Sequence, residues 1–340
     1  MKISIKMALA TIAVGGMYLA GTASAAPKGP PPPKAASGAT VKPFATGVAV
    51  PTQIAFKGRT AFVAGAAEGP MKGGVYAVKP GAKKAVLIKK SPKSAFGIAV
   101  KSGRVYVSSG RGVIRYSGWN GKGFRSKKTI YSGPKSFNGF SGLAFGPNGR
   151  LYAGVSLNQE YDHADDPSHF GNSIVSMTAS GKKPKVVATG MRQPWMMTFA
   201  KGNPDPFVSV LGPDLPIGNG APDLIVNAAP GDDYGFAACD WAATANCAGF
   251  TEPLVKLDPV PVKQGDEEAL AQQSPMGIAA NGNKLYVALF SAGQVMQMKT
   301  DGTGIKPFLT GFAAPVLSVT THKGNVYTGD FTGTIYKVKG

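Results

Sequence analysis

Apolar and polar residues alternate with a period of two along many short stretches of this chain, and the stretches end at glycine, proline or polar turns. Six segments begin alike, with a turn and then a short apolar strand: Pro51–Phe56, Ala95–Val100, Phe140–Phe145, Pro194–Phe199, Pro275–Ala280 and Pro315–Thr320. Most continue through a polar glycine turn into a second strand, as in Gly103–Val107, Gly149–Ala153 and Asn283–Val287. A third strand follows, as in Gly74–Val78 and Gly333–Val338, and a fourth ends near Thr-Gly or Ser-Gly. No amphipathic helical period of useful length interrupts this pattern.

Four strands per roughly 40–45 residues are the spacing of a propeller blade. The interval stretches to 54 residues before Pro194 and to 81 before Pro275, where insertions at about 212–222 and 237–272 are expected, the second with a small helix around Glu267–Gln273. The last unit, Pro315–Gly340, has room for only three strands. Its missing outer strand stands near the other end, because Val41-Lys42-Pro43-Phe44-Ala45-Thr46-Gly47 matches the outer-strand sequence Ile305-Lys306-Pro307-Phe308-Leu309-Thr310-Gly311. The pattern therefore predicts an all-β fold over 41–340, a six-bladed β-propeller closed by an N-terminal strand pairing into the last blade. Antiparallel blades put Gln53, Asn138, Arg192, Gln193 and the loops 65–73, 157–172, 211–222 and 290–293 on one mouth. Many lysines, Lys57, Lys83, Lys84, Lys101 and Lys182 among them, sort to the opposite face.

Composition adds a compartment and a charge asymmetry. Residues 1–25 read as a signal peptide: Lys2 and Lys6, an apolar run from Met7 to Ala20, and the small-residue site Ala23-Ser24-Ala25. Its removal leaves no segment able to span a membrane as a helix, and the expected location is secreted or periplasmic. Residues 26–40 are Pro/Lys-rich and read as a flexible segment. Cys239 and Cys247 are the only cysteines; in an exported chain they read as a short-loop disulfide, since two thiols without nearby histidines make a poor zinc cage. The formal net charge is +19, and residues 1–159 hold 24 Lys+Arg against one acid, Glu68. An exported protein seldom meets nucleic acid, so the expected partner of the basic face is an anionic envelope surface.

Three polar constellations carry candidate chemistry. Asn158–His169 packs carboxylates, amides and imidazoles into one mouth loop. Gly212, Pro213, Asp214 and Asp223, followed by Gly231–Phe236, combine glycine-freed carbonyls with carboxylates able to neutralise a cation. Arg192 could hold an anionic ligand in a bidentate clamp. No acyl-transfer triad, P-loop or dinucleotide fingerprint is present.

The order of several segments between Asn138 and Gly302 resembles the soluble glucose/sorbosone dehydrogenase family, six-bladed propellers that use pyrroloquinoline quinone and calcium. The segments are Leu143–Tyr152, Asp165-Asp166-Pro167, Gly190-Met191-Arg192-Gln193-Pro194, Gly212-Pro213 with Asp223, Pro230–Phe236, Cys247–Pro253 and Ser274–Gly277. The resemblance implies that Arg192 contacts the quinone's acidic groups, with Gln193 and Gln53 as further candidate contacts. It implies a cation at the Gly212 and Pro213 carbonyls near Asp223 and Asp214, and a small carbohydrate ligand at the mouth. Asn138 occupies the position of the family's catalytic histidine, and an amide cannot take a hydroxyl proton. His163 and His169 are the candidate substitutes. Two alternatives stand beside sugar oxidation: a catalytically silent carbohydrate- or cation-binding propeller attached to an anionic envelope surface and needing no cofactor, and a metal-dependent lactonase-like propeller to which Glu68, Asn138 and Asp214 could contribute.

Overall fold

Alternation sends the two faces of each strand into different surroundings. In the strand Thr60–Gly65, Phe62 and Ala64 pack towards one neighbouring sheet, and Ala61 and Val63 towards the other. In Lys284–Leu289, Leu285 and Val287 face one way, Tyr286 and Ala288 the other. Every sheet is thus covered on both faces by its neighbours.

The computed structural model describes residues 31–214, 220–264 and 267–340, without the side chains of 262–269. The proposed signal peptide, 1–25, and residues 26–30 lie outside the described residues. Six four-stranded antiparallel blades are present. Blade 1 is Pro51–Lys57, Thr60–Gly65, Gly74–Val78 and Val86–Leu87. Blade 2 is Ile98–Lys101, Arg104–Ser109, Gly112–Trp119 and Phe124–Ser132. Blade 3 is Phe140–Phe145, Leu151–Val155, Ile174–Met177 and Lys185–Ala188. Blade 4 is Gln193–Thr198, Phe207–Leu211, Asp223–Asn227 and Val255–Leu257. Blade 5 is Pro275–Asn281, Lys284–Leu289, Gln294–Lys299 and Lys306–Thr310. Blade 6 joins Val316–His322, Asn325–Asp330 and Ile335–Lys339 to Lys42–Ala45.

The closing register is Lys42↔Lys337, Pro43↔Tyr336 and Ala45↔Ile335. Pro43 is tolerated there because an outer strand needs no donor on its free side. Inner strands touch in cyclic order, the last against the first. Six hydrophobic clusters fill the six seams between blades, so the core is a ring of interfaces.

Two expectations need correction. Residues 26–40 are not a free stalk throughout: Lys34–Ala35 add a fifth strand to blade 5, in register with Thr310 and Leu309. Ala35, Ala39 and Val41 pack on the cluster between blades 5 and 6, and this apolar contact holds the segment down. No helix forms around Glu267–Gln273. Val260–Gln264 and Glu267–Ala271 pair as a hairpin instead, because the strand-forming run beside them supplies ladder partners that outweigh a weak helical preference.

Near the axis the blades are tied by side chains to backbone. Thr52 Oγ1 of blade 1 donates to Phe96 O at 2.7 Å. Ser108 Oγ of blade 2 donates to Ser141 O at 2.6 Å, and Ser141 Oγ of blade 3 to Pro194 O at 2.7 Å. A Cβ on Gly97 would stand 2.4 Å from Ser141 O, so only glycine allows that approach. Gln53 bridges three blades: its Nε2 donates to Leu143 O at 2.9 Å, while its Oε1 accepts from Ile98 N at 2.7 Å and Leu143 N at 3.1 Å. Expected among the quinone contacts, Gln53 is instead a strut between inner strands. Replacing Gln53 with alanine leaves two backbone N–H groups without partners and is expected to lower the unfolding free energy by about 2–4 kcal/mol in urea titrations. A change below about 0.5 kcal/mol would show that the strut carries no stability.

Candidate functional site at the propeller mouth

The loop between the second and third strands of blade 3 folds on its own polar groups. Asp166 is buried and accepts from Asn138 Nδ2 at 2.8 Å, Asn158 N at 2.9 Å and Ser168 N at 2.8 Å. Its own N–H donates to Asn172 Oδ1 at 2.7 Å, and Asn172 Nδ2 donates to Arg192 O at 3.1 Å. This spine fixes the backbone of Arg192 immediately before the inner strand of blade 4. Asn138 also donates to Ser168 Oγ at 3.1 Å, so its amide serves the loop.

The Arg192 side chain is 7% exposed. Its Nη2 pairs with Asp162 Oδ1 and lies 3.7 Å from Asp214 Oδ2. Its Nε is buried with no hydrogen-bond partner among the described residues. Burial lowers the arginine's pKa, and the carboxylates of Asp214 and Asp223 oppose that shift. Asp162 Oδ2 in turn stands 3.1 Å from His163 Nε2. An imidazole, a carboxylate and a guanidinium are thereby joined in one row across the mouth. Gln193 is half-buried beside them, and its side-chain amide has no hydrogen-bond partner among the described residues. The His169 ring packs on Phe170 at 3.7 Å between centroids.

The Gly212–Asp223 group comes together, but as a brace. Asp223, 1% exposed, accepts from Gly212 N at 2.9 Å and Ser274 N at 2.7 Å. The Pro213 carbonyl accepts from Gln272 Nε2. Asp214 remains largely exposed. Among the described residues, no group of three or more His, Cys, Asp or Glu is arranged to hold a metal ion. The roles of Asp162 and Gln272 were not visible in the sequence: Asp162 was one acid among several, and Gln272 approaches from an insertion of unassigned course.

Beside Arg192 the loop after the third strand of blade 4 is anchored by Tyr234, whose hydroxyl donates to Asn227 O at 3.0 Å and Asp232 Oδ2 at 3.1 Å. The Cys239–Cys247 disulfide forms as expected, with Cα atoms 5.2 Å apart. A polar cleft of about 260 Å³ opens between this loop and the blade 3 loop, lined by Asp165, Asp166, Asn172, Thr189, Asp233 and Phe236 among others.

No family model and no curated sequence matches the chain. Solved structures do. The quinone (PQQ)-bound aldose sugar dehydrogenase of Streptomyces coelicolor is 19% identical with a TM-score of 0.69, covering 90% of this chain and 99% of its own. A putative oxidoreductase (glucose dehydrogenase) of Thermus thermophilus is 18% identical at a TM-score of 0.69, covering 88% and 100%. A putative gluconolactonase is 11% identical at 0.59, covering 90% and 97%. At such identities the likeness is one of fold. Among the described residues no helix is long and apolar enough to cross a membrane.

Burial pushes the Asp223 carboxyl up to about 6, against the Gly212 and Ser274 N–H groups and the Arg192 charge, which pull it down. The folded protein therefore keeps a proton that the unfolded chain releases near pH 4. Stability from this group is complete below that pH and is lost as pH rises through about 6, a change of up to about 3 kcal/mol. Asp223→Asn is expected to remove this component from a pH series of denaturant midpoints, and an unchanged pH slope in the variant would contradict the assignment.

Proposed function

We propose that this chain is an exported sugar-binding propeller of the quinone-dependent aldose dehydrogenase type, with its ligand held at Arg192 and Gln193. The observation that carries the reading is the buried Arg192 guanidinium, whose Nε lacks a partner among the described residues at the place where the loops of blades 3 and 4 meet. A buried cation with an unpartnered donor suits the acidic groups of pyrroloquinoline quinone or of a sugar acid, and a ligand reaching that nitrogen requires the residues covering it to move aside. Gly212, Pro213 and Asp214 are the residues nearest a role at a calcium ion. Gln272 covers the Pro213 carbonyl, so cation binding there requires that amide to give way.

When bound, the quinone supplies the hydride acceptor for oxidation of an aldose. The chain's own part is to orient the sugar and take its hydroxyl proton. Asn138 cannot do this, and its amide is already engaged. His163 can: a ring donating from Nε2 to Asp162 keeps Nδ1 as an acceptor, and Asp162 holds that tautomer. His163 is exposed, within the mouth loop.

The engaged amide at position 138 is also the specific observation behind a second reading, a catalytically silent propeller that binds a carbohydrate without turning it over. The lactonase alternative has the fold likeness of the putative gluconolactonase behind it and no further observation.

Purified protein would be titrated with pyrroloquinoline quinone and calcium, followed by thermal melting and by dye reduction with a panel of aldoses. Quinone is expected to raise the melting temperature, and an aldose to drive dye reduction. Arg192→Met is expected to weaken quinone binding at least tenfold. His163→Gln is expected to lower kcat by about 100-fold or more while quinone affinity stays within about threefold. Stabilisation by an aldose alone without turnover selects the silent reading, and no response to either ligand removes the site assignment.

A further inference from the structure

Blades 1 and 2 carry cations with almost nothing to neutralise them. Residues 51–132 contain 17 Lys and Arg and one acid, Glu68. None of these cations forms an ion pair among the described residues; the ion pairs found there involve only His163, Arg192 and Lys256.

Three of these charges stand on the outer strand of blade 2, Phe124–Ser132. Arg125, Lys127 and Lys128 are all exposed on it. Lys127 Nζ donates to Lys90 O at 3.1 Å, which brings the exposed Lys89-Lys90 pair of the blade 1–2 connection alongside. Two features of this surface work against stability. Lys128 is directly opposite Arg115 in the antiparallel register, a like-charge cross-strand pair, and the Arg115 Nε is buried without a hydrogen-bond partner among the described residues. Lys90 sits at φ 62°, where lysine is disfavoured. A carboxylate at 115 or 128, or a glycine at 90, would relieve either one. An outside anion would supply the charge that the Arg115–Lys128 pair lacks.

We propose that the outer edge of blade 2, with Lys89 and Lys90, is a docking strip for a linear acidic polysaccharide. Arg125 and Lys127 share one side of the nine-residue strand and Lys128 stands on the other; with Lys89 and Lys90 alongside, this charged edge matches a polymer with charge repeated along its length. A bilayer surface fits less well, because Val86 is the sole exposed large hydrophobic side chain on these two blades among the described residues. The strip uses none of the mouth residues, so it stands or falls apart from the sugar reading.

The test measures binding of the full chain to immobilised polygalacturonate and, in parallel, to vesicles containing phosphatidylserine, across a salt series. One variant combines Lys90→Gln, Arg125→Gln, Lys127→Gln and Lys128→Gln. A second removes the same net charge elsewhere, through Lys299→Gln, Lys306→Gln, Lys323→Gln and Lys339→Gln. Circular dichroism and melting confirm that both fold. Salt-sensitive binding to polygalacturonate that falls at least tenfold in the first variant and less than threefold in the second supports the strip. Equal losses in both variants mean attraction by net charge alone and overturn it. So do binding unaffected by the first variant, the absence of polygalacturonate binding, and vesicle binding that exceeds polysaccharide binding and depends on the same four residues.

Discussion

Every blade of this propeller has two apolar faces, and neither face is covered until a neighbour arrives on each side. The alternating side chains of a single strand are divided between two seams, as Phe62 with Ala64 and Ala61 with Val63 show. Such sheets cannot be stable as open stacks, because the first and last would each leave one face in water. Pairing of Lys42–Ala45 with Ile335–Lys339 removes that defect. The six seams then become equivalent in kind, and the inner strands are pressed close enough for Gly97 and the hydroxyls of Thr52, Ser108 and Ser141 to bind neighbouring backbone.

The mouth inherits its chemistry from this closure. Blade 3 and blade 4 meet at fixed distance, so the loop carrying Asp162, His163 and Asp166 lies against the residue that precedes the blade 4 inner strand. Asp166 and Asn172 organise the loop and hold the Arg192 carbonyl. Asp162 then balances the buried guanidinium and carries the histidine. Desolvation acts in opposite directions on the two buried charges of this region, down for Arg192 and up for Asp223, and their mutual attraction moderates both.

Much of the architecture was legible because it rests on local signals repeated six times. Turn, alternation and the displaced outer strand at Val41–Gly47 suffice to infer number of blades and mode of closure. Residue roles were less legible because they depend on what faces what across a seam. Gln53 looked like a ligand contact; its partners are backbone atoms of two other blades, about 45 and 90 positions away in sequence. Pro213 looked like an open carbonyl ligand for a cation; Gln272 from a remote insertion donates to that carbonyl and covers it. Glu267–Ala271 has the composition of a helix, but pairing with Val260–Gln264 decides its conformation. Arg192 was recognisable from its motif, whereas its partner Asp162 was not, since nothing in the spacing of the acidic loop says which carboxylate turns inward.

The closing strand also sets a timetable. Lys42–Ala45 is synthesised long before its partner, Ile335–Lys339. Until then the first and sixth blades lack their common seam, and the early segment has only solvent or wrong partners available. A pairing of such long sequence separation carries a large loop-closure entropy and forms late.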